Sequence, residues 1–211
     1  MNKLFFLLRR FEVHRIRAVF ELLENGERII DVACGSGDFA LLASKYFKEV
    51  YGVDISSEKI SKAKKQAKDE NIKNVIFDIY DVNGGLKFKK EYFNAVTAIA
   101  ALAFFFDPYF IMSEFRRILK KGGVLIVEVP NLAYLPRRIT LLLGHLPKVA
   151  STDIGWDGGH LHNFTQNSLV KLIENSGFRV LKITGSGIFA NLRNFWPSLL
   201  CGNIIVKAVK K

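Results

Sequence analysis

Residues 28–40 read Arg28-Ile29-Ile30-Asp31-Val32-Ala33-Cys34-Gly35-Ser36-Gly37-Asp38-Phe39-Ala40, and this stretch decides the fold. Ile29, Ile30 and Val32 predict a buried strand, because parallel strands covered on both faces run apolar without alternation. Gly35 and Gly37 permit a sharp turn and leave room for a ligand where a Cβ would collide. Apolar residues at helical spacing from Phe39 to Phe47 predict a helix, its N-terminus aimed at whatever lies in the turn.

The spacing Gly35-x-Gly37-x-x-Ala40 also fits the dinucleotide-binding pattern, which on its own is weak evidence. The charges point elsewhere. A pyrophosphate wants unopposed positive potential at a helix start, whereas here Asp31 ends the strand and Asp38 opens the helix. Two carboxylates flanking the turn suit a ligand that carries positive charge. An ammonium together with a sulfonium fits, which points to S-adenosylmethionine and away from a nicotinamide cofactor. Asp38 is equally explained as a helix cap; Asp31 is not.

The run Asp31-Val32-Ala33-Cys34-Gly35-Ser36-Gly37 resembles the first motif of the class I S-adenosylmethionine-dependent methyltransferases, with Ala33 where that family's first glycine stands. Later segments match in order, so the resemblance runs over roughly residues 27 to 209. It implies an α/β, Rossmann-like three-layer sandwich. The sheet would be seven-stranded and mostly parallel, closed by an antiparallel C-terminal strand pair at 178–185 and 202–209. It also implies S-adenosylmethionine as cofactor and S-adenosylhomocysteine as product.

The cofactor set implied by the resemblance begins with Asp31, Ala33, Cys34, Gly35, Ser36 and Gly37. Glu49 to Asp54 predicts a second strand ending in a carboxylate about 20 residues past the glycines, where nucleoside-binding α/β folds hold ribose hydroxyls. Asp54 resembles the family residue with that role, and Ile55 follows it. After a third strand at 74–78, Asp81 matches the acidic residue that bonds the adenine amino group and Val82 its neighbour on the ring, with Asp78 as a rival. Ala98, on a fourth strand at 92–99, completes the set. No residue is assigned to a metal.

The same comparison exposes departures. Asn94 replaces an aspartate of the family's fourth strand. Ala100 and Phe104 stand where many relatives carry an acidic residue and a histidine. Phe104, Phe105 and Phe106 either wall an apolar acceptor pocket or fill core. Asp107-Pro108 starts a helix in which Phe110, Phe115, Ile118 and Leu119 face inward. Lys121-Gly122-Gly123 ends it ahead of a fifth strand at 124–131, and Leu86 to Lys90 reads as a polar edge.

Residues 132–164 break the strand–helix rhythm. An excursion after the fifth strand sits at the carboxyl edge of the sheet, over the ligand crevice. It carries Trp156, glycines, His160 and His162, and this segment resembles small-molecule methyltransferases of the methionine-biosynthesis-like and quinone-like subgroups. An oxygen or amine acceptor must lose a proton, so His160 and His162 are the candidate catalytic bases. Either is also explained as a residue that packs or caps the lid.

With 211 residues, 49% of them hydrophobic, the chain reads as a single domain spanning 1–211 with its own core. A net charge of +11 favours anionic partners, or reflects a solvated lysine-rich face such as Lys59, Lys62, Lys64, Lys65 and Lys68. Cys34 and Cys201 have no Cys-x-x-Cys partner, which fits a reducing, cytoplasmic compartment. Residues 3–24 predict an amphipathic helix that packs near the cofactor mouth or lies on a membrane surface. Its apolar run at 4–8 is too short to span a bilayer.

The acceptor expected from all this is a small molecule, lipid or glycan. An RNA or protein acceptor is the alternative that the charge suggests. Against nucleic acid, no Asn/Asp-Pro-Pro-aromatic motif follows the fourth strand and no Pro-Cys supplies a nucleophile. The departures at Ala33, Asn94, Ala100 and Phe104 motivate a further alternative, a non-catalytic protein that binds S-adenosylmethionine.

Overall fold

The computed structural model describes residues 14–149, 159–187 and 195–211. The run around Ile29 is the expected strand, β1 (Gly26–Val32). It lies parallel to β2 (Phe47–Asp54) on one side and β4 (Phe93–Ile99) on the other. β3 (Val75–Ile79) extends the sheet beyond β2, and β5 (Leu119–Pro130) extends it beyond β4, both parallel. β7 (Asn203–Lys210) pairs antiparallel with β5, and β6 (Phe178–Ser186) antiparallel with β7. The seven-stranded order is therefore β3-β2-β1-β4-β5-β7-β6.

Helices cover both faces. On one, α4 (Pro108–Ile118) and α6 (Gln166–Asn175) set Ile111, Phe115, Leu169 and Ile173 against Val96, Leu125 and Val127. On the other, α1 (Arg15–Phe20), α2 (Asp38–Ala43) and α3 (Ser57–Asp69) set Val19, Phe39, Ile60 and Ala63 against Ile29, Val50 and Ile126. That gives three layers, and it explains why Ile29, Ile30 and Val32 run apolar without strict alternation.

Local chemistry sets the helix starts. Ser56 Oγ accepts from Lys59 N at the head of α3. Asp107 accepts from Tyr109 N and Phe110 N at the head of α4. Thr165 and Ser168 form a reciprocal capping box on α6. The lysines at 59, 62, 64, 65 and 68 are all exposed on α3, whose buried stripe is Ile60, Ala63 and Ala67.

Several boundaries differ from the sequence reading. The helix after the glycine turn ends at Ala43, because Phe47 is buried as the first residue of β2. β5 begins at Leu119, directly after α4, so Lys120 and Lys121 are strand residues. Gly122 has φ +70°, and the β4–β5 register slips between Phe93 and Ala95, so Lys121-Gly122-Gly123 makes a bulge rather than a helix stop. Phe110 is 40% exposed rather than inward. Leu86 is buried, not a polar edge, and Arg117 donates to the Leu86 and Phe88 carbonyls while Glu114 holds its guanidinium. Of the N-terminal helix expected at 3–24, residues before 14 lie outside the described ones.

Candidate functional site

Strand order reverses at β1, with β2 and β3 to one side and β4 and β5 to the other. Beyond the carboxyl ends of parallel strands, such a reversal opens a ligand crevice. The β1–α2 turn forms its floor. Ala33, Gly35 and Gly37 have φ of +57°, +57° and +84°. Ala33 thus occupies a left-handed position that explains the family's glycine and costs an alanine about 1 kcal/mol. A Cβ on Gly35 would meet nothing within 4 Å, so the space above it is open. A Cβ on Gly37 would stand 2.7 Å from the Phe77 ring and 2.9 Å from Ala63 Cβ. Gly37 is there for close helix packing, Gly35 for room. Ser36 is half-buried between them.

Asp54 ends β2 at the crevice and is 7% exposed. Its Oδ2 accepts from Gly35 N at 2.8 Å and its Oδ1 from Ser56 N at 2.9 Å. The two backbone bonds fix the orientation of the carboxylate. Ile55, next along, is 68% exposed, and Ile79 at the end of β3 is 45% exposed. Sequence reasoning did not single out Ile79, which offers an apolar surface on the same side.

Asp31 is 3% exposed, and Thr97 Oγ1 donates to its Oδ1 at 2.8 Å. Burial pushes its pKa up to about 7, the Thr97 bond opposes this, and the Asp54 charge adds to it. Of the carboxylates around the turn, Asp54 is the one whose charge acts on Asp31. Asp38 is exposed and lines a groove with His14, Arg17, Phe20 and Tyr46 beside α1, so the sequence pairing of Asp31 with Asp38 is corrected to Asp31 with Asp54. Cys34 is half-buried in the same turn. Burial, then Asp31 and Asp54, push its thiol up, so it stays protonated and is no nucleophile.

Asp81 is exposed and accepts from Asn83 N at 2.9 Å and Asn83 Nδ2 at 2.8 Å. Its rival Asp78 is exposed too and accepts from Ile79 N. Val82 and Ala98 are buried in the core cluster below. Asn94 sits at the far end of β4, where its Oδ1 accepts from Arg28 N at 3.1 Å and Lys120 Nζ at 3.4 Å. That substitution is structural and lies away from the crevice. Ala100 has φ +53°, and its N donates to the Glu128 carbonyl.

The segment after β4 receives both candidate histidines. Leu161 N and His162 N both donate to Ala103 O, at 2.9 and 3.1 Å. His160 is 8% exposed and its ring centroid is 4.6 Å from that of Phe104. The lid thus lays a histidine against the position where relatives carry one. His162 is half-buried, with Nε2 3.3 Å from the Phe106 carbonyl. A carbonyl only accepts, so this bond needs the proton on Nε2 and leaves Nδ1 basic.

Three further residues were missed. Glu128 is fully buried on β5 with neither carboxylate oxygen hydrogen-bonded, and burial pushes it up to about 7 against the pull of Arg15. A lone acid inside Val124-Leu125-Ile126-Val127-Glu128-Val129 was the available signal. Asn131 Nδ2 donates to Ser198 O and Cys201 O, closing the end of β5 onto the start of β7. Arg137 reaches out of α5 (Leu135–Leu142) to donate to the carbonyls of Asn131, Gly202, Lys148 and Val149. No local pattern announces that role. In the excursion at 132–164, residues 150–158, including Trp156, lie outside the described ones.

Comparison with known proteins agrees with this geometry. A family model described as a methyltransferase domain matches residues 23–177. The chain is similar to a demethylmenaquinone methyltransferase of Thermotoga maritima, 29% identical over 200 residues that cover 83% of this chain and 82% of the relative. It is 28% identical over 197 residues to the enzyme of that name from Staphylococcus aureus, covering 83% and 80%. An S-adenosylmethionine-dependent methyltransferase structure from Aquifex aeolicus superposes with a TM-score of 0.67 at 16% identity, covering 93% of this chain and 90% of that one. With the family match spanning most of the chain and the sheet order on the page, the chain belongs to the class I S-adenosylmethionine-dependent methyltransferases.

Proposed function

We propose that this methyltransferase acts on a small apolar, quinone-like acceptor, and that the crevice over Asp31, Gly35 and Asp54 holds its cofactor. The observation that carries the cofactor part is the pre-tied Asp54 beside the open space at Gly35. Those residues fit an adenosyl ligand. The free lone pairs of Asp54 suit ribose hydroxyls, Asp31 suits an ammonium, and exposed Ile55 and Ile79 suit the faces of a flat ring. Asp81 is free to accept from an exocyclic amine while it keeps Asn83. Ala33, Cys34, Ser36 and Gly37 shape the turn, and Val82 and Ala98 support it from the core.

S-adenosylmethionine, when bound, supplies a methyl group on a sulfonium leaving group. What remains for the protein is to align the acceptor, exclude water and remove any acceptor proton. Phe104 and Phe106, 44% and 72% exposed, offer the apolar wall. His162 is the better base of the two histidines, because its Nδ1 is left basic and it is not covered as His160 is. His160 then positions the Phe104 wall. The demethylmenaquinone methyltransferases among the relatives favour a quinone over RNA or protein, as does an acceptor wall built of phenylalanine.

The test is methyl transfer from labelled S-adenosylmethionine to a demethylated quinone, with tRNA and a protein extract as parallel acceptors. Label in the quinone alone supports the reading; label only in RNA or protein overturns it. His162→Ala should lower turnover by about 100-fold while calorimetric S-adenosylhomocysteine binding stays unchanged. Full turnover in that variant would remove the base.

A further inference from the structure

α5 is an eight-residue helix without a single buried residue. Leu135, Ile139, Leu141 and Leu142 are exposed on it, and Leu143 and Leu146 just beyond are 69% and 66% exposed. Leu141, Leu142 and Leu143 are consecutive, so they point in different directions around the helix end. Leu135, Ile139 and Leu142 fall at i, i+4 and i+7 on one stripe, the kind of face that an interfacial helix lays into the acyl boundary. The charges agree. Residues 129–152, which include all of α5, contain no Asp or Glu. Arg138, His145 and Lys148 stand exposed among the leucines.

A second exposed element is tied to the base of α5. Asn131 and Arg137 tie the Ser198–Gly202 carbonyls to the base of α5, and Tyr134 packs on Gly202. Just before that stretch, Phe195 and Trp196 are 86% and 54% exposed. Exposed leucine and tryptophan with basic side chains among them are the make-up of an interfacial surface. No helix among the described residues is long and apolar enough to cross a membrane.

We infer that α5, with the neighbouring Phe195-Trp196 corner, docks this protein on an anionic lipid bilayer, lying in the interface. Arg137 is the anchor on the protein side, since its bonds to the Asn131 and Gly202 carbonyls tie α5 to the sheet end. This surface stands on its own residues and does not depend on the acceptor proposed above. A quinone acceptor could fail while docking holds, and the reverse.

The experiment is co-sedimentation of the full chain with vesicles of phosphatidylcholine alone or with phosphatidylglycerol added, at low and high salt. Binding is expected to anionic vesicles and to weaken as salt rises. The double variant Leu142→Glu/Leu143→Glu should bind roughly 100-fold less, with unchanged thermal unfolding and S-adenosylhomocysteine binding as proof of an intact fold. No sedimentation of the wild type overturns the inference, as does equal binding to both vesicle types or a variant that binds like the wild type. A wild-type dimer that the double variant dissolves, with no vesicle binding, would instead assign the face to a second copy of this chain.

Discussion

Asp31 carries the sharpest consequence of any single residue. Its carboxyl is buried and its pKa is pushed up to about 7, where an aspartate in the unfolded chain has released its proton near 4. Between those values the native state holds a proton that the unfolded chain has lost, so this group's contribution to stability falls as pH rises from about 4 to 7. The displacement corresponds to on the order of 4 kcal/mol by pH 8. Ligand binding should run the other way. An ammonium wants the charged form, so apparent affinity for S-adenosylhomocysteine should drop about tenfold per pH unit below 7. Asp31→Asn keeps an acceptor for Thr97 and removes the titration. It should melt higher than wild type at pH 8, match it at pH 5, and bind S-adenosylhomocysteine poorly at both. Melting curves and calorimetry at the two pH values check this. Equal melting of the two proteins at pH 8 would remove the buried charge from the account. Glu128 is displaced to about 7 by the same cause and adds to the slope in both proteins.

Among the elements, the β1–α2 turn is the most demanding. Gly37 combines φ +84° with a Cβ position 2.7 Å from Phe77. Gly37→Ala must pay both for a left-handed alanine and for pushing a buried ring, about 3 kcal/mol together. Chemical denaturation should show that loss, and Gly35→Ala, with open space above it, should lose no more than about 2 kcal/mol. A Gly37→Ala protein as stable as wild type would mean α2 does not pack as described. Apolar runs revealed β1, β2, β4 and β5, whose central residues are buried, and the cap at Ser56 or Ser57 marked the start of α3. Sequence reading misplaced the start of β5, since Lys120 and Lys121 look like a helix end until the bulge at Gly122 is seen. It paired Asp31 with Asp38 because neighbours in sequence were visible and Asp54, across a strand, was not. Arg137 and Asn131 stayed hidden for the same reason: their partners are main-chain carbonyls far along the chain.

For the whole molecule, one sheet serves both cores. β7 is hydrogen-bonded to β5 and β6 together, and neither helical layer buries its face without that sheet. We propose on this basis that the chain is a single domain, the 132–164 excursion included. Thermal unfolding should therefore give one transition, with near- and far-ultraviolet circular dichroism coincident; two separated transitions would divide it. The crevice has a further consequence. Asp54 is held by Gly35 N and Ser56 N, and on the proposed placement it reads a sugar while Asp31 reads an ammonium. Both of those groups pass through the reaction unaltered. Spent donor then competes with fresh donor on nearly equal terms, and the pace of the enzyme follows how fast its surroundings clear the leftover nucleoside.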